Sequence, residues 1–317
     1  MKRILVNDGI HPDGKRDLEE AGYDVVTDRI AQEDLPRELP DFDAICVRSA
    51  TKVRKDLIDQ CPRLKVIARG GVGLDNIDVD YARSKGIEVI NTPAASSKSV
   101  AELVFGHFFT LARFLHQANR DMPQRGGTDF KKLKKNYAGG IELRGKKLGI
   151  IGFGRIGQET ARIGLGLGMH VLPVDPYTDK ATLRLDIAAT DQVIHHDVHT
   201  VELDEMLAEA DFVTLHVPSM GQPILDAAAF DKMKDGVIIV NAARGGVVDE
   251  QALLDALESG KVAAAGLDVF ENEPTPRAEL LQHERISVTP HIGASTHEAQ
   301  ANIGTEMAAK IIAAFSE

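Results

Sequence analysis

The sequence predicts an α/β protein made of two doubly wound parallel-sheet domains, and three observations carry that reading. Short apolar runs alternate with helical patterns from the first residues onward, the signature of strand–helix units laid side by side in a parallel sheet. A glycine turn with G-x-G-x-x-G spacing opens a second series of such units at Gly152. At 317 residues the chain is long enough for two domains with sizeable cores.

In chain order, Ile4 to Val6, Val25 to Val26, Ala44 to Val47 and Val66 to Ala68 read as strands, with helical patterns over Gly14 to Ala21 and Lys55 to Gln60. A shorter strand, Ile87 to Ile90, ends at Asn91-Thr92-Pro93. A long helix follows from Ser99 to Asn119, with Leu103, Phe105, Phe108, Phe109, Leu111 and Phe114 on its apolar sides. The polar, basic stretch from Asp121 to Arg144 contains glycines and reads as an arm or crossover. Further strands are Gly149 to Ile151, His170 to Val174, Phe212 to His216, Val237 to Asn241, Ala263 to Leu267 and Ile286 to Thr289. A last helix covers Ser295 to Phe315. Segments 1–97 and 291–317 are expected to form one substrate lobe, with 98–290 as an inserted dinucleotide lobe and the substrate in a cleft between them.

The run Leu148-Gly149-Ile150-Ile151-Gly152-Phe153-Gly154-Arg155-Ile156-Gly157 places the glycines directly after a strand and at the start of a helix. Gly152 permits the turn, Gly154 admits a pyrophosphate, and Gly157 lets the helix lie close to the sheet, while the backbone at Arg155 and Ile156 faces the phosphates. A second strand ends in Asp175, eighteen residues past Gly157, where a carboxylate can accept from the adenosine ribose hydroxyls. Pro176-Tyr177-Thr178 offers no cation for a 2′-phosphate, so NAD is expected over NADP.

The net charge of −11 argues against general nucleic-acid affinity. No apolar stretch is long enough to span a bilayer. The N-terminus meets Asp8 too early for a signal peptide, and a cytoplasmic location is expected. Cys46 and Cys61 lie in or beside apolar segments without metal spacing, as inert thiols in a reducing compartment do.

Three strand ends in the second half carry polar residues: Arg244 after Asn241-Ala242-Ala243, Glu273 after Asp268-Val269-Phe270, and His291 after Thr289-Pro290. In an open parallel sheet such ends line the ligand crevice. Arg, Glu and His meeting there suit hydride transfer to a 2-oxo acid. Arg244 can bind the carboxylate and polarise the carbonyl, His291 can protonate the new alkoxide, and Glu273 can hold His291 in one orientation. Each has a plainer reading as a surface charge, a capping turn or a loop acid.

Asn-Ala-Ala-Arg-Gly-Gly-Val-Val-Asp-Glu (241–250), Gly-Leu-Asp-Val-Phe-Glu (266–271) and Thr-Pro-His-Ile-Gly-Ala-Ser-Thr (289–296) resemble motifs of the D-isomer-specific 2-hydroxyacid dehydrogenases. Val47-Arg48-Ser49-Ala50-Thr51-Lys52-Val53 and Arg69-Gly70-Gly71-Val72-Gly73-Leu74-Asp75-Asn76-Ile77-Asp78 resemble the substrate-lobe motifs of members that act on 3-phosphoglycerate, and the resemblance spans nearly the whole chain. It implies a Rossmann NAD-binding domain inserted into a flavodoxin-like substrate domain, with Arg244, Glu273 and His291 as the catalytic set. It implies cofactor contacts at His216, Val217, Pro218, Ala242, Ala243, Asp268 (at the nicotinamide carboxamide) and Gly293. Substrate contacts are expected at Arg48, Ser49, Arg69, Gly70, Gly71 and Lys135, with Lys135 supplied by a neighbouring subunit of a homodimer or homotetramer. Ser96 stands where the family often has Asn, and Leu133 where it often has Trp. With the sequence ending at Glu317, a C-terminal regulatory domain and inhibition by serine are not expected.

The expected substrate is a phosphorylated 2-hydroxy or 2-oxo acid, 3-phosphoglycerate and 3-phosphohydroxypyruvate. Hydroxypyruvate or glyoxylate reduction is the enzymatic alternative, and an NAD-sensing corepressor-like binding protein the alternative of another class. His195, His196 and His199 read as a solvated loop before a helix near Val201, and no metal site is expected.

Overall fold

Five short β-branched runs form the first sheet of the computed structural model, which describes residues 1–316; Glu317, the end of the expected substrate lobe, lies outside them. The strands are β1 (Arg3–Val6), β2 (Asp24–Val26), β3 (Ala44–Val47), β4 (Val66–Arg69) and β5 (Glu88–Asn91). Their order is β2-β1-β3-β4-β5, and every pairing is parallel. Ile4, Leu5 and Val6 are fully enclosed, as expected of a parallel strand covered on both faces. One face packs Ile4, Val6, Ala44 and Val66 against Leu18, Met307 and Ile311 of the helices Pro12–Glu20 and His297–Ser316. The other packs Leu5, Ile45 and Ile67 against Leu35, Leu57 and Ile77. A Cβ on Gly14 would run into the backbone of Gly304, so those two helices cross backbone to backbone.

The second sheet contains β6 (Lys147–Ile151), β7 (His170–Val174), β10 (Phe212–Leu215), β11 (Val237–Asn241), β12 (Val262–Leu267) and β13 (Ile286–Val288), while β8 (Lys180–Asp186) and β9 (Val193–His199) form a separate antiparallel hairpin. The six strands run β13-β12-β11-β10-β6-β7, all parallel. Phe105 and Phe108 of the helix Ser97–Ala112 pack on one face with Leu148, Ile150, Phe212 and Ile238. Phe108 and Phe212 meet edge to face at 5.2 Å. Ile239, Leu253, Leu257 and Leu267 fill the other face. Both sheets are therefore doubly wound. The chain divides into two compact units, residues 1–99 with 294–316 and residues 100–293.

Two local expectations are corrected. The single helix expected over Ser99 to Asn119 is two, Ser97–Ala112 and Leu115–Asn136, separated where Phe114 adopts a left-handed φ of 55°. The second runs through the stretch read as an arm, although it contains Pro123, Gly126 and Gly127, and it kinks at Asp129, whose φ of −114° and ψ of 21° are not helical. Arg125 bridges Asp121 and Asp129 at 3.4 Å each, and Tyr137 donates to Asp121 at 2.7 Å. These links span the segment that its proline and glycines weaken. The other correction concerns His195, His196 and His199, which lie on strand β9 rather than in a loop. Leu183 and Val198 are buried beneath the hairpin, and on β9 every residue but Val198 is exposed, Val193 and Ile194 included, so that strand shows no clear period of two.

Cys46 and Cys61 are both enclosed, and burial pushes their thiols up to about 12 and about 11. No helix among the described residues is long and apolar enough to cross a membrane.

His216 follows β10, with Nε2 at 3.1 Å from the Thr160 hydroxyl. That hydroxyl donates to the Ile156 carbonyl at 2.9 Å, so it accepts from the ring. Burial pushes this imidazole down to about 3. An unfolded histidine takes up its proton near 6.5, so the folded form keeps its full advantage above roughly pH 6.5 and loses it as pH falls toward 3. The slope is at most about 1.4 kcal/mol per pH unit for one proton. Urea unfolding at pH 7 and pH 5 measures it. His216→Gln, which keeps a donor for Thr160, should lose less stability over that interval than the unaltered protein; an equal loss would place the acid sensitivity elsewhere.

Candidate active site

The fingerprint glycines each answer to a steric fact. Gly152 has φ +93°, and a Cβ there would sit 2.6 Å from the His216 carbonyl oxygen. A Cβ on Gly157 would strike the Gly152 carbonyl, so the helix Arg155–Gly166 is seated directly on the turn. At Gly154 a Cβ would meet nothing within 4 Å. Gly154 is the N-cap residue of that helix and supplies no side-chain cap. The first-turn amides at Arg155 and Ile156 therefore open onto space, as an anion site at a helix N-terminus requires.

Asp175, just past β7, accepts from Phe153 N at 2.7 Å on one oxygen and from Tyr177 N at 2.8 Å on the other. These two bonds orient the carboxylate beside the turn and leave each oxygen a lone pair for a ribose hydroxyl. His216 precedes Val217 and Pro218, and its Nδ1 is buried without a protein partner. Because Nε2 carries the proton, Nδ1 is an acceptor awaiting a donor. An open cradle, uncapped helix amides, an oriented acid and an orphaned acceptor fit a dinucleotide.

Arg244, Glu273 and His291 follow β11, β12 and β13, three successive strands of the sheet. Asn241 shapes the first loop, donating to the Arg244 carbonyl at 2.9 Å and accepting from Ala243 N at 3.0 Å. Ala242 and Ala243 are buried beneath it. A Cβ on Gly245 would strike the Phe270 carbonyl, so the first and second loops touch through backbone. In the second loop Glu273 accepts from Phe270 N at 3.0 Å and reaches His291 Nδ1 at 2.8 Å with its other oxygen. Glu250 accepts from Glu271 N at 2.9 Å, and burial holds its carboxyl above the usual range.

The third loop hangs on Asp268, only 1% exposed. Its carboxylate accepts from the Thr289 hydroxyl at 2.6 Å, Ile292 N at 2.8 Å and Gly293 N at 2.9 Å. His291 has a φ of 52°, a left-handed conformation that costs a non-glycine residue about 1 kcal/mol or more. Its ring is half exposed, with Nδ1 taken by Glu273. The structure thus brings the three expected catalytic residues to adjacent loops. It also reveals Asn241, Glu250 and Asp268 as the groups that hold those loops. The sequence placed Asn241 and Glu250 within motifs but showed no sign of what they bind.

In the first unit, Arg48 follows β3. Its backbone N–H donates to Asp8 at 2.7 Å, and Asp8 also accepts from Thr51 N and Oγ1 at 3.0 and 2.7 Å. Asn76 donates to the Arg48 and Thr51 carbonyls at 2.7 and 2.6 Å. Ser49 is exposed on this pinned loop. Arg69 ends β4, and Gly71, at φ +140°, leaves room for its guanidinium. Gly70 lies against the Arg48 side chain, and a cavity of about 350 Å³ opens between Asp8, His11, Arg48, Gly70, Gln300 and Met307. Asn76 falls within the motif Arg69 to Asp78 and Asp8 reads only as an early acid; the sequence shows no sign of the bonds either makes. Ser96 and Leu133 are buried, and Lys135 is exposed near the end of the helix Leu115–Asn136.

Residues 105–293, more than half of the chain, match the model of the D-isomer specific 2-hydroxyacid dehydrogenase NAD binding domain. A hydroxypyruvate reductase of Thermotoga maritima is 44% identical over 315 residues, covering 98% of this chain and 97% of the relative. A D-3-phosphoglycerate dehydrogenase of Methanocaldococcus jannaschii is also 44% identical, over 98% of this chain but only 57% of its own length. Among solved structures, a glyoxylate reductase from Paecilomyes thermophila superimposes with a TM-score of 0.82 at 29% identity, covering 100% of this chain and 96% of the other. An NADPH-dependent glyoxylate/hydroxypyruvate reductase from Sinorhizobium meliloti gives 0.81 at 28% identity, covering 100% and 95%. The cofactor is NAD, and the chain is an oxidoreductase of 2-hydroxy acids: it belongs to the D-isomer specific 2-hydroxyacid dehydrogenase family.

Proposed function

We propose that the chain interconverts 3-phosphoglycerate and 3-phosphohydroxypyruvate with NAD as oxidant, Arg244, Glu273 and His291 carrying the reaction. The observation that carries the chemical assignment is the 2.8 Å contact between Glu273 and His291 Nδ1. With Nδ1–H donated to a carboxylate, Nε2 is left to exchange a proton with substrate. NADH, when bound, supplies the hydride that reduces C2 of the 2-oxo acid. The Arg244 fork holds the substrate carboxylate and draws charge onto the C2 oxygen. His291 Nε2–H gives that oxygen its proton as the charge builds; in oxidation the neutral ring takes the proton back. Glu273, fixed by Phe270 N, keeps the tautomer and stabilises the imidazolium.

The phosphorylated substrate is supported by Arg48 and Arg69 at neighbouring strand ends of the first unit. A dianionic phosphate gains charge-assisted hydrogen bonds from two guanidinium groups that an unphosphorylated acid cannot make. Hydroxypyruvate reduction is the second reading, favoured by the Thermotoga maritima relative, which matches along nearly its whole length under that name. Lys135 on its exposed helix is proposed as a further phosphate contact, acting within a homodimer or larger assembly. A corepressor-like role without turnover is the reading that active-site catalysis would exclude.

NADH oxidation measured side by side with phosphohydroxypyruvate, hydroxypyruvate, glyoxylate, pyruvate and 2-oxoglutarate tests the assignment. The phosphorylated acid should have the highest kcat/KM, and a preference for hydroxypyruvate would reverse it. Arg48→Ala or Arg69→Ala should raise KM for phosphohydroxypyruvate by about tenfold or more while changing that for hydroxypyruvate little; equal losses would assign these arginines to folding or carboxylate binding.

His291→Ala should lower turnover on the order of a hundredfold or more, with NADH affinity nearly unchanged by fluorescence titration. Glu273→Gln should lower kcat about tenfold or more. A Gln variant with full activity would remove Glu273 from the mechanism.

Asp175→Ala should relax the preference for NAD over NADP, because a 2′-phosphate would no longer meet a carboxylate. The readout is the ratio of kcat/KM for the two cofactors. Equal use of both by the unaltered enzyme would contradict the role given to Asp175.

A further inference from the structure

His107 stands in the middle of the helix Ser97–Ala112, on a face otherwise made of Val104, Phe105, Phe108 and Leu111. It is 3% exposed and takes no part in the chemistry described above. Gly266 of β12 makes room for it, since a Cβ there would lie 2.8 Å from the His107 Cβ and 2.9 Å from Cγ. Its Nδ1 is 3.1 Å from Ser287 Oγ, and its Nε2 is 3.1 Å from Thr289 Oγ1. Ser287 and Asp268 are likewise buried. All of these groups lie in the second unit.

The direction of every bond in this row follows from counting protons. The Asp268 carboxylate already accepts two backbone N–H groups, and it accepts the Thr289 hydroxyl at 2.6 Å. A hydroxyl has one proton, so toward His107 the Thr289 oxygen is an acceptor and Nε2 is the donor. A neutral imidazole protonated at Nε2 leaves Nδ1 a lone pair, which the Ser287 hydroxyl fills. Burial holds the ring's pKa below the ordinary value, against the pull of Asp268 and with a smaller push from His116. The row therefore runs Ser287 → His107 → Thr289 → Asp268, ending on the carboxylate that holds the amides of Ile292 and Gly293, the two residues that follow the left-handed His291.

We infer that His107 is a positioning residue: as the neutral Nε2–H tautomer it commits the Thr289 hydroxyl to Asp268 and so fixes the loop that carries His291. The role rests on the proposed proton transfer by His291, but the hydrogen-bond row does not. Aligned donors polarise one another in a low-dielectric interior. Losing the His107 N–H frees Thr289 to rotate and weakens the grip of Asp268 on the loop amides.

The experiment separates the two. In protein labelled with ¹⁵N-histidine, the His107 ring should show a protonated Nε2 and an unprotonated Nδ1 throughout pH 6–8. A ring protonated at Nδ1, or one that titrates in that range, overturns the inference without reference to any activity. Hydrogen exchange then reads the loop. In His107→Leu, which keeps volume but no N–H, the Ile292 and Gly293 amides should exchange about fivefold faster or more, while amides of β6 and β10 are unchanged. His107→Gln, which returns a donor toward Thr289, should restore slow exchange. Unchanged exchange in His107→Leu overturns the role, and the tautomer measurement on the unaltered protein stands even if that variant fails to fold. Where turnover is observed, His107→Leu should lower kcat with KM and NADH affinity nearly unchanged. Absence of turnover in the unaltered protein would sink the functional reading while leaving the exchange result intact.

Discussion

The carboxylate of Asp268 is the constraint on which the reactive half of the second unit depends. It sits at the end of a buried strand, nearly sealed from solvent, and binds the loop after the next strand through two amides and a hydroxyl. A buried carboxylate without such donors would be costly, and one with them is a rigid clamp. That clamp offsets the left-handed backbone of His291, which in turn presents the imidazole to Glu273. Strain at a functional residue persists only where the surroundings over-determine it, and Asp268 is where that determination is made.

The same economy recurs at the dinucleotide turn. Three glycines serve three separate ends there: a left-handed turn under the His216 carbonyl, open space at a helix N-terminus, and contact between a helix and a carbonyl. Asp175 joins the turn to the neighbouring strand with the carboxylate that would meet the ribose. The groups proposed to bind the cofactor are thus the same ones that fasten the turn.

Much of this was legible in the sequence. The strands around Ile4, Ile150 and Ile239 announce themselves as apolar runs because both sheet faces are covered, and the glycine turn at 152–157 has a spacing that few other demands produce. The loops bearing Arg244, Glu273 and His291 were legible as polar interruptions at strand ends. Less so were the features where tertiary contacts override local signals. The helical segment Leu115–Asn136 runs past a proline and two glycines and then kinks at Asp129, and strand β9 buries only Val198, so its sequence shows no clear alternation. His107 and Ser287 were invisible for a different reason. A histidine on an apolar helix and a serine in a strand carry no spacing in common, and only the packing of helix on sheet joins them.

The backbone crossing of Gly14 with Gly304 bears on how the chain is made. The first unit is completed by a helix encoded after the whole of the second, so until that helix is made the face carrying Ile4 and Val66 is covered only in part, by the helix Pro12–Glu20. The second unit, continuous from residue 100 to residue 293, is free to finish first. Sealing the first unit then waits until the helix His297–Ser316 has been made. It requires a contact some 290 residues apart in sequence between two glycines with no side chain to spare. A bulkier residue at Gly14 would drive into the Gly304 backbone and push apart the two helices that cover this face, whereas the same change at Gly304 meets only a tight contact with His11.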